Sequence, residues 1–438
     1  MSIKTSRRGF LKSTAATGAV FTILPSGILS AAVSPNSKLN IAVIGVAGRG
    51  GRNLGSVSHE NIVALCDVNA DNLAKAAKRF PKARTYVDWR KCLEQKDIDA
   101  VVCSTTDHTH AFVNIWAMNR GLHVYCEKPL ANSVEEARLV RETYLKNKDK
   151  IATQMGTQIH ATENYRRVVE LIKGGMIGDV KSAKVWVGRP RKTESYYPAV
   201  TPIPANINWD LWIGPSPFHD YNPKYVGGCL KWNRFWDFGT GQLGDMGSHL
   251  IDLPYWALDL RLPTSCAGEG KPMHNDSYPG EVNVTWEHPA NDDRPAVKLT
   301  WYDGLIKPGM PSRVFDRESM KQGILFTGDK GWLLADYTLR VVMMKGDMTS
   351  YDSPTADELI PKSMGQHQEW IHACKTGAPT LCNFDYSGAM IENNMLGAVS
   401  MRVGQKLEWD AKNLRATNCP EADKYIRKTY RKGWVLNG

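Results

Sequence analysis

From about residue 38 onward, apolar residues come in short dense runs. Leu39 to Val46, Asn61 to Val68, Ala100 to Thr105 and His123 to Lys128 are each too short for a helix and rich in β-branched residues. Such runs predict parallel strands buried on both faces. Between them lie helix-like segments, Ala70 to Arg79, Trp89 to Glu94 and Ala111 to Asn119. A further one runs from Ser133 to Asn147, with Ser133 and Glu136 at capping-box spacing. Strand and helix in alternation predict a parallel sheet with helices on both faces.

Near residue 155 the period changes. A helix from Glu163 to Lys173 stops at Gly174-Gly175, and a strand from Val180 to Gly188 follows. The stretch from Arg189 to Gly239 is rich in Pro, Gly and Trp. Beyond it, alternating segments (EVNVTWEH, AVKLTWYD, GILFTG, LRVVMM) predict half-buried antiparallel strands. Helices from Gly365 to Cys374 and from Tyr386 to Val403, then KLEWD, complete the pattern. The fold expected is α/β: a Rossmann doubly wound parallel sheet over 39–158, then an α/β domain with a large, mostly antiparallel sheet over 159–438.

The start of the chain changes where this fold is expected to work. Ser6-Arg7-Arg8-Gly9-Phe10-Leu11-Lys12 resembles a twin-arginine export signal. The apolar stretch 13–24 is too short to span a bilayer, and Ser30-Ala31-Ala32 offers small residues for cleavage after Ala32. The resemblance implies a signal peptide over 1–32, a linker over 33–38, and passage through the twin-arginine machinery to the periplasm, already folded and carrying its cofactor. Without that segment the formal charge of +10 falls to about +6, which argues against a nucleic-acid groove. The nine cysteines are too scattered for a disulfide framework or a zinc site, and Cys374 and Cys382 are near enough in sequence to pair.

The first run ends in Gly45-Val46-Ala47-Gly48-Arg49-Gly50-Gly51. A glycine-rich turn between strand and helix lets backbone N–H groups approach a pyrophosphate. Gly45, Ala47, Gly48, Arg49 and Gly50 are therefore candidate cofactor residues, with Ala47 where the fingerprint has its middle glycine. Asp67 ends the second run; a carboxylate there accepts ribose hydroxyls and repels a 2′-phosphate, favouring NAD over NADP.

Two further segments carry a resemblance. Cys103-Ser104-Thr105-Thr106-Asp107-His108-Thr109-His110 and Cys126-Glu127-Lys128-Pro129, taken with the glycine turn and Asp67, look like the Gfo/Idh/MocA oxidoreductases. This chain has Thr106 where that family usually has Pro. Asp245-Met246-Gly247-Ser248-His249-Leu250-Ile251-Asp252 matches a second mark of the family, D-x-G-x-H-x-x-D. Residues four apart share a helix face, so Asp245 and His249 are expected in one cleft, and Asp252 in a supporting place. Oxidising an alcohol needs a base for the hydroxyl proton and a positive donor for the developing alkoxide. The resemblance assigns Lys128 to polarise the reacting hydroxyl, His249 as the base, and Asp245 to orient it or bind substrate. It assigns Glu127 and Lys128 to the cofactor as well, while Thr105 and His110 are expected to line the cofactor's nicotinamide or ribose side. His108 is expected either beside them or at the surface.

Fourteen tryptophans are many, and several precede Asp245. Flat aromatic faces suit sugar rings. Trp232, Arg234 and Trp236 are thus expected at a carbohydrate, with Trp209 and Trp212 a little earlier in the chain. Gln154, Gln158, Tyr165 and Arg166 are expected beside them. The function expected is an exported sugar or polyol oxidoreductase with tightly held NAD. The alternative is an NAD-dependent glycosidase working by transient oxidation. A homodimer or homotetramer is implied by the resemblance alone.

Overall fold

The buried runs become strands at nearly the residues expected. In the computed structural model, which describes residues 37–200, 202–304, 308–309, 320–347 and 352–437, β1 is Asn40–Ile44, β2 Asn61–Cys66, β3 Arg84–Tyr86, β4 Ala100–Cys103, β5 His123–Cys126 and β6 Thr153–Met155. They form one parallel sheet in the order β3-β2-β1-β4-β5-β6. The connections from β1 to β2 and across to β4 leave in opposite directions, which opens a crevice at the C-terminal ends of β1 and β4. β3 and β6 have three residues each and show no apolar run, so the hydrophobic pattern alone did not reveal them.

Helices Ala70–Arg79 and Glu163–Lys173 form where expected. Helix Asp107–Asn119 starts four residues earlier than its apolar pattern, because Thr106 takes the N-cap place. Helix Val134–Asn147 is capped by Ser133, whose hydroxyl accepts from Glu136 N at 3.2 Å. The Glu136 carboxylate closes the box one residue further back, on Asn132 N at 2.7 Å.

The second sheet holds β7 Val180–Val187, β8 Ser265–Lys271, β9 Glu281–His288, β10 Val297–Asp303, β11 Gln322–Gly328, β12 Gly331–Ala335, β13 Arg340–Met344, β14 Leu407–Asp410 and β15 Arg415–Ala416. Its order is β13-β12-β11-β7-β10-β9-β8-β14-β15, antiparallel except for the β7–β10 pair. Along β9 every second residue is buried. Its Trp286 Nε1 donates to Asn393 O at 2.8 Å on helix Phe384–Val403. That helix also packs on Val134–Asn147. There Arg138 donates to both carboxylate oxygens of Glu392 at 2.8 and 2.7 Å, so one buried ion pair ties the two layers.

The stretch between β7 and β8 builds an aromatic core of its own, with Trp209, Tyr221, Tyr225, Trp232, Phe235 and Phe238 buried together. One part of it returns to the first sheet as a strap. Ile207 bridges Asn69, Ala70 N donates to Asn206 O at 2.8 Å, Asn208 N donates to Val68 O at 2.9 Å, and Asn206 Nδ2 donates to Asp71 Oδ2 at 2.6 Å. The strap therefore lies next to Asp67. All nine cysteines are unpaired, Cys374 and Cys382 included. Among the described residues no helix is long and apolar enough to cross a membrane. The twin-arginine segment and its cleavage site lie outside the described residues.

Candidate active site

At the end of β1, Gly45 N donates to Cys66 O at 2.8 Å and the chain turns into helix Arg49–Ser56. The cap residue of that helix, Gly48, has φ +56 and no side-chain cap, and a Cβ there would meet nothing within 4 Å. Ala47 is exposed, so Gly48 rather than residue 47 gives the open approach to the helix N-terminus. Gly50 is a close-packing position: a Cβ would lie 2.0 Å from Gly45 O. Asp67 accepts from Val46 N at 3.0 Å and Asn69 N at 2.9 Å, one bond to each oxygen, leaving each a further lone pair. Burial raises its carboxyl against those backbone bonds. A free helix N-terminus, an uncrowded glycine and an anchored carboxylate fit a dinucleotide: Gly45, Gly48 and Gly50 would hold the pyrophosphate and Asp67 the ribose.

The far wall is a polar network. Arg49 Nε donates to Glu127 Oε1 at 2.8 Å and Arg49 NH2 to Gln158 Oε1 at 3.2 Å. Asn53 Nδ2 donates to Glu127 Oε1 at 3.0 Å. His367 Nε2 lies 3.1 Å from Asn53 Oδ1, its ring stacked on Tyr125. Asn53 was legible as the residue one helical turn after Arg49; His367 carried no local signal.

Lys128 leaves the end of β5 and pairs with Asp245 Oδ1, its ammonium also facing Asp245 O at 3.4 Å. Asp245 Oδ2 accepts from Arg191 NH2 and Asn233 Nδ2, each at 3.3 Å. Arg191 is held in turn by Asn233 Oδ1 and Gln242 Oε1, both at 2.8 Å. Burial acts against both members of the pair, but each one's charge sustains the other: Lys128 is raised and Asp245 lowered. Both are therefore ionised at neutral pH.

His249 lies within electrostatic range of Lys128. Asp245 does not orient it; Thr157 does. Thr157 Oγ1 donates its one hydrogen to Ser248 O at 2.9 Å, so at 3.1 Å from His249 Nδ1 it accepts. The ring is then the Nδ1–H tautomer, with the lone pair on Nε2. Among the described residues Nε2 has no hydrogen-bond partner. Burial first, then the Lys128 charge, holds His249 down at about 3, so it is neutral at pH 7. Asp252 is fully buried at the start of helix Asp252–Ala257, receiving His160 Nδ1 at 2.9 Å and Tyr386 OH at 2.7 Å.

Several expected contacts prove to be supports. His110 is buried with Nδ1 2.6 Å from Pro129 O and Nε2 3.1 Å from Thr105 O, so it fastens the Lys128 loop to the Thr105 turn. The Thr105 hydroxyl donates to Thr106 O at 3.2 Å. Thr106 holds φ −76°, within the range of the proline it replaces. His108 is buried between Phe238 O and Trp212 O, not at the surface. Tyr165 is fully buried and donates to His249 O at 2.8 Å. Arg166 turns away to Pro361 O at 2.6 Å, and Gln154 is buried against Gln366 O and Glu369. Trp232 belongs to the aromatic core, Trp236 packs on Tyr278 and donates to His274 O at 3.0 Å, and Arg234 pairs with Glu194 at 2.9 Å. Gln158, by contrast, stays on Arg49 beside the glycine turn. The aromatic stretch folds on itself, which its composition did not distinguish from a pocket wall.

Residues 39–155 match the model for the oxidoreductase family, NAD-binding Rossmann fold, and residues 178–290 match the model for its C-terminal alpha/beta domain. The chain belongs to the Gfo/Idh/MocA oxidoreductase family. Among curated members, the inositol 2-dehydrogenase of Salmonella typhimurium is 29% identical over 145 residues, 32% of this chain and 43% of that enzyme. Levoglucosan dehydrogenase of Pseudarthrobacter phenanthrenivorans is 33% identical over 124 residues, 27% of this chain and 30% of that one. The matched region thus spans less than half of these Gfo/Idh/MocA relatives. Solved structures agree in fold. The WlbA dehydrogenase of Bordetella pertussis, in complex with NADH and UDP-GlcNAcA, has a TM-score of 0.59 at 16% identity, covering 85% of this chain and 99% of that one. The aldose–aldose oxidoreductase of Caulobacter crescentus has a TM-score of 0.58 at 14% identity, covering 85% and 100%.

The buried histidines have a consequence for stability. Burial lowers His108 and His367 to about 4 and His288, like His249, to about 3. It raises Asp107 to about 6 and Asp303 to about 8. Below about pH 6.5 the unfolded chain protonates four imidazoles that the folded protein keeps neutral. The two carboxyls act oppositely, since the folded protein already holds their protons. The unfolded chain binds more, so stability falls with pH by about 1.4 kcal/mol per unit for each excess proton. Tm is expected to fall between pH 7 and 5; calorimetry showing a level or rising Tm contradicts this.

Proposed function

We propose that this protein is an exported oxidoreductase that oxidises a hydroxyl group of a sugar or polyol on a tightly held NAD. The carrying observation is the charged Lys128, fixed by Asp245, in range of a neutral His249 whose Nε2 bears a free lone pair. The names of the dehydrogenase relatives support the substrate class, and the Arg7-Arg8 segment supports export.

The residues divide the work. Lys128 Nζ donates to the reacting oxygen and stabilises negative charge as it develops. His249 Nε2 takes the hydroxyl proton, while Thr157 holds Nδ1–H and so fixes the tautomer. Asp245 keeps Lys128 protonated and aimed, with Arg191 and Asn233 gripping its second oxygen. Bound at the glycine turn, NAD supplies the hydride acceptor. The strap beside Asp67 supports slow release of the nucleotide.

The test is mass spectrometry of the native protein for bound nucleotide, then rapid mixing with sugars while absorbance of reduced nicotinamide is followed. Reduction by a sugar or polyol is expected. Cleavage of a glycoside with no net reduction replaces this reading with the glycosidase one. Asp67→Ala is expected to weaken NAD binding by about 10- to 100-fold, the worth of charge-assisted hydrogen bonds. Fluorescence titration measures it, and an unchanged Kd removes Asp67 from the site.

A further inference from the structure

The cleft beside Lys128 holds more positive charge than alcohol oxidation uses. Lys128 and Arg191 share the one carboxylate of Asp245. Arg189, just past β7, adds a third cation. Its NH1 lies 3.8 Å from the sulfur of Met246, the residue after Asp245, and its NH2 donates to Gln322 Oε1 at 3.3 Å. Among the described residues no carboxylate lies within ion-pair distance of Arg189.

Arg189 is on the His249 side of the cleft. It acts electrostatically on Tyr337, whose ring centroid is 6.4 Å from that of His249. Asp107 acts on both Lys128 and Asp245, Glu127 acts on Lys128, and in range of Arg191 and Asp245 lies also Asp303, at the end of β10. It is buried, its Oδ1 has no partner, and burial pushes its carboxyl up to about 8, so at pH 7 it does not cancel the cations. Asp245, Asp107 and Glu127 answer Lys128, Arg191 and Arg49, and among the described residues Arg189 is the cation of this cluster left without an acid. An unmatched cation attracts anions, and a guanidinium with free donors binds carboxylate and phosphate oxygens strongly.

Resting on the oxidoreductase reading, we propose that the substrate is an anionic sugar whose carboxylate or phosphate docks on Arg189 while its reacting hydroxyl lies between Lys128 and His249. Arg191 is a positioning residue in this arrangement, since its donors are spent on Asn233, Gln242 and Asp245.

The test compares uronates, aldonates and sugar phosphates with their neutral parents on the NAD-loaded full-length protein. Calorimetric Kd and kcat/KM for nicotinamide reduction are both measured. Anionic sugars are expected to lead their neutral parents by at least about tenfold, with the lead shrinking as salt rises. Arg189→Ala is expected to remove most of that lead through KM rather than kcat, and Arg189→Lys to restore part of it. Better uronates and aldonates mark the group as a carboxylate; better sugar phosphates mark it as a phosphate. Neutral sugars equal to the anionic ones, no binding of any anionic sugar, or an Arg189→Ala variant that weakens all substrates alike overturns the proposal. If anionic sugars bind through Arg189 yet none reduces the cofactor, the oxidoreductase reading fails and the anion site stands. If only neutral sugars reduce it, the reverse holds.

Discussion

Lys128→Met is expected to lower kcat by about a thousandfold, the loss found when a single donor to a developing oxyanion is removed. Methionine keeps much of the length and apolar stem of lysine and deletes only the charge and the donors. Asp245 stays ionised after the change, because Arg191 and Asn233 remain on its second oxygen. The fold and the glycine turn are untouched, so the Kd for NAD stays within a few-fold. A second signature separates loss of chemistry from loss of shape. The Lys128 charge is one reason His249 is held so low, so in the variant His249 rises and the acid limb of the rate profile moves to higher pH. Single-turnover rates from about pH 3 to pH 9 measure both effects. A rate within about threefold of the parent at every pH would remove Lys128 from the chemistry.

The largest expected loss of stability follows Glu392→Ala. Arg138 would remain buried, with Ala411 O at 2.7 Å as its remaining acceptor. Breaking a buried ion pair from one side costs about 3–5 kcal/mol, because the surviving charge has no partner. Burial raises the Glu392 carboxyl despite the guanidinium beside it, so the pair is itself expensive to desolvate. The double variant Arg138→Met, Glu392→Leu is therefore expected to recover most of the loss. Urea denaturation of both variants measures this; a double variant as unstable as the single one would show that the pair sets the geometry between the layers and does more than neutralise itself.

Much of this was legible in the chain because parallel strands announce themselves. β1, β2, β4 and β5 are uninterrupted apolar runs whose C-terminal ends carry the glycine turn, Asp67, Thr105 and Lys128. β3 and β6 escaped because three residues with little apolar content carry no period. The i, i+4 relation of Asp245 and His249 held in part: three short helices, Gly241–Asp245, Gly247–Leu250 and Asp252–Ala257, replace one continuous helix. Asp245 then turns to Lys128, and Thr157, from the loop after β6, reaches His249. Contacts of that kind join residues 92 to 117 positions apart, beyond any local pattern. The tryptophans misled for a different reason. An aromatic side chain serves equally in a pocket wall or a small core, and the choice depends on what packs opposite.

The strap at Asn206–Asn208 comes from chain that follows the first sheet by some fifty residues. The Asp67 end of the crevice is consequently bounded by a segment synthesised after the crevice itself. A dinucleotide has two routes in: capture while the newly made polypeptide is still assembling, or later entry by peeling those backbone contacts apart. Molecules refolded without nucleotide should remain empty for long periods in its presence, so the history of a preparation, as well as its affinity, determines how much of it is charged.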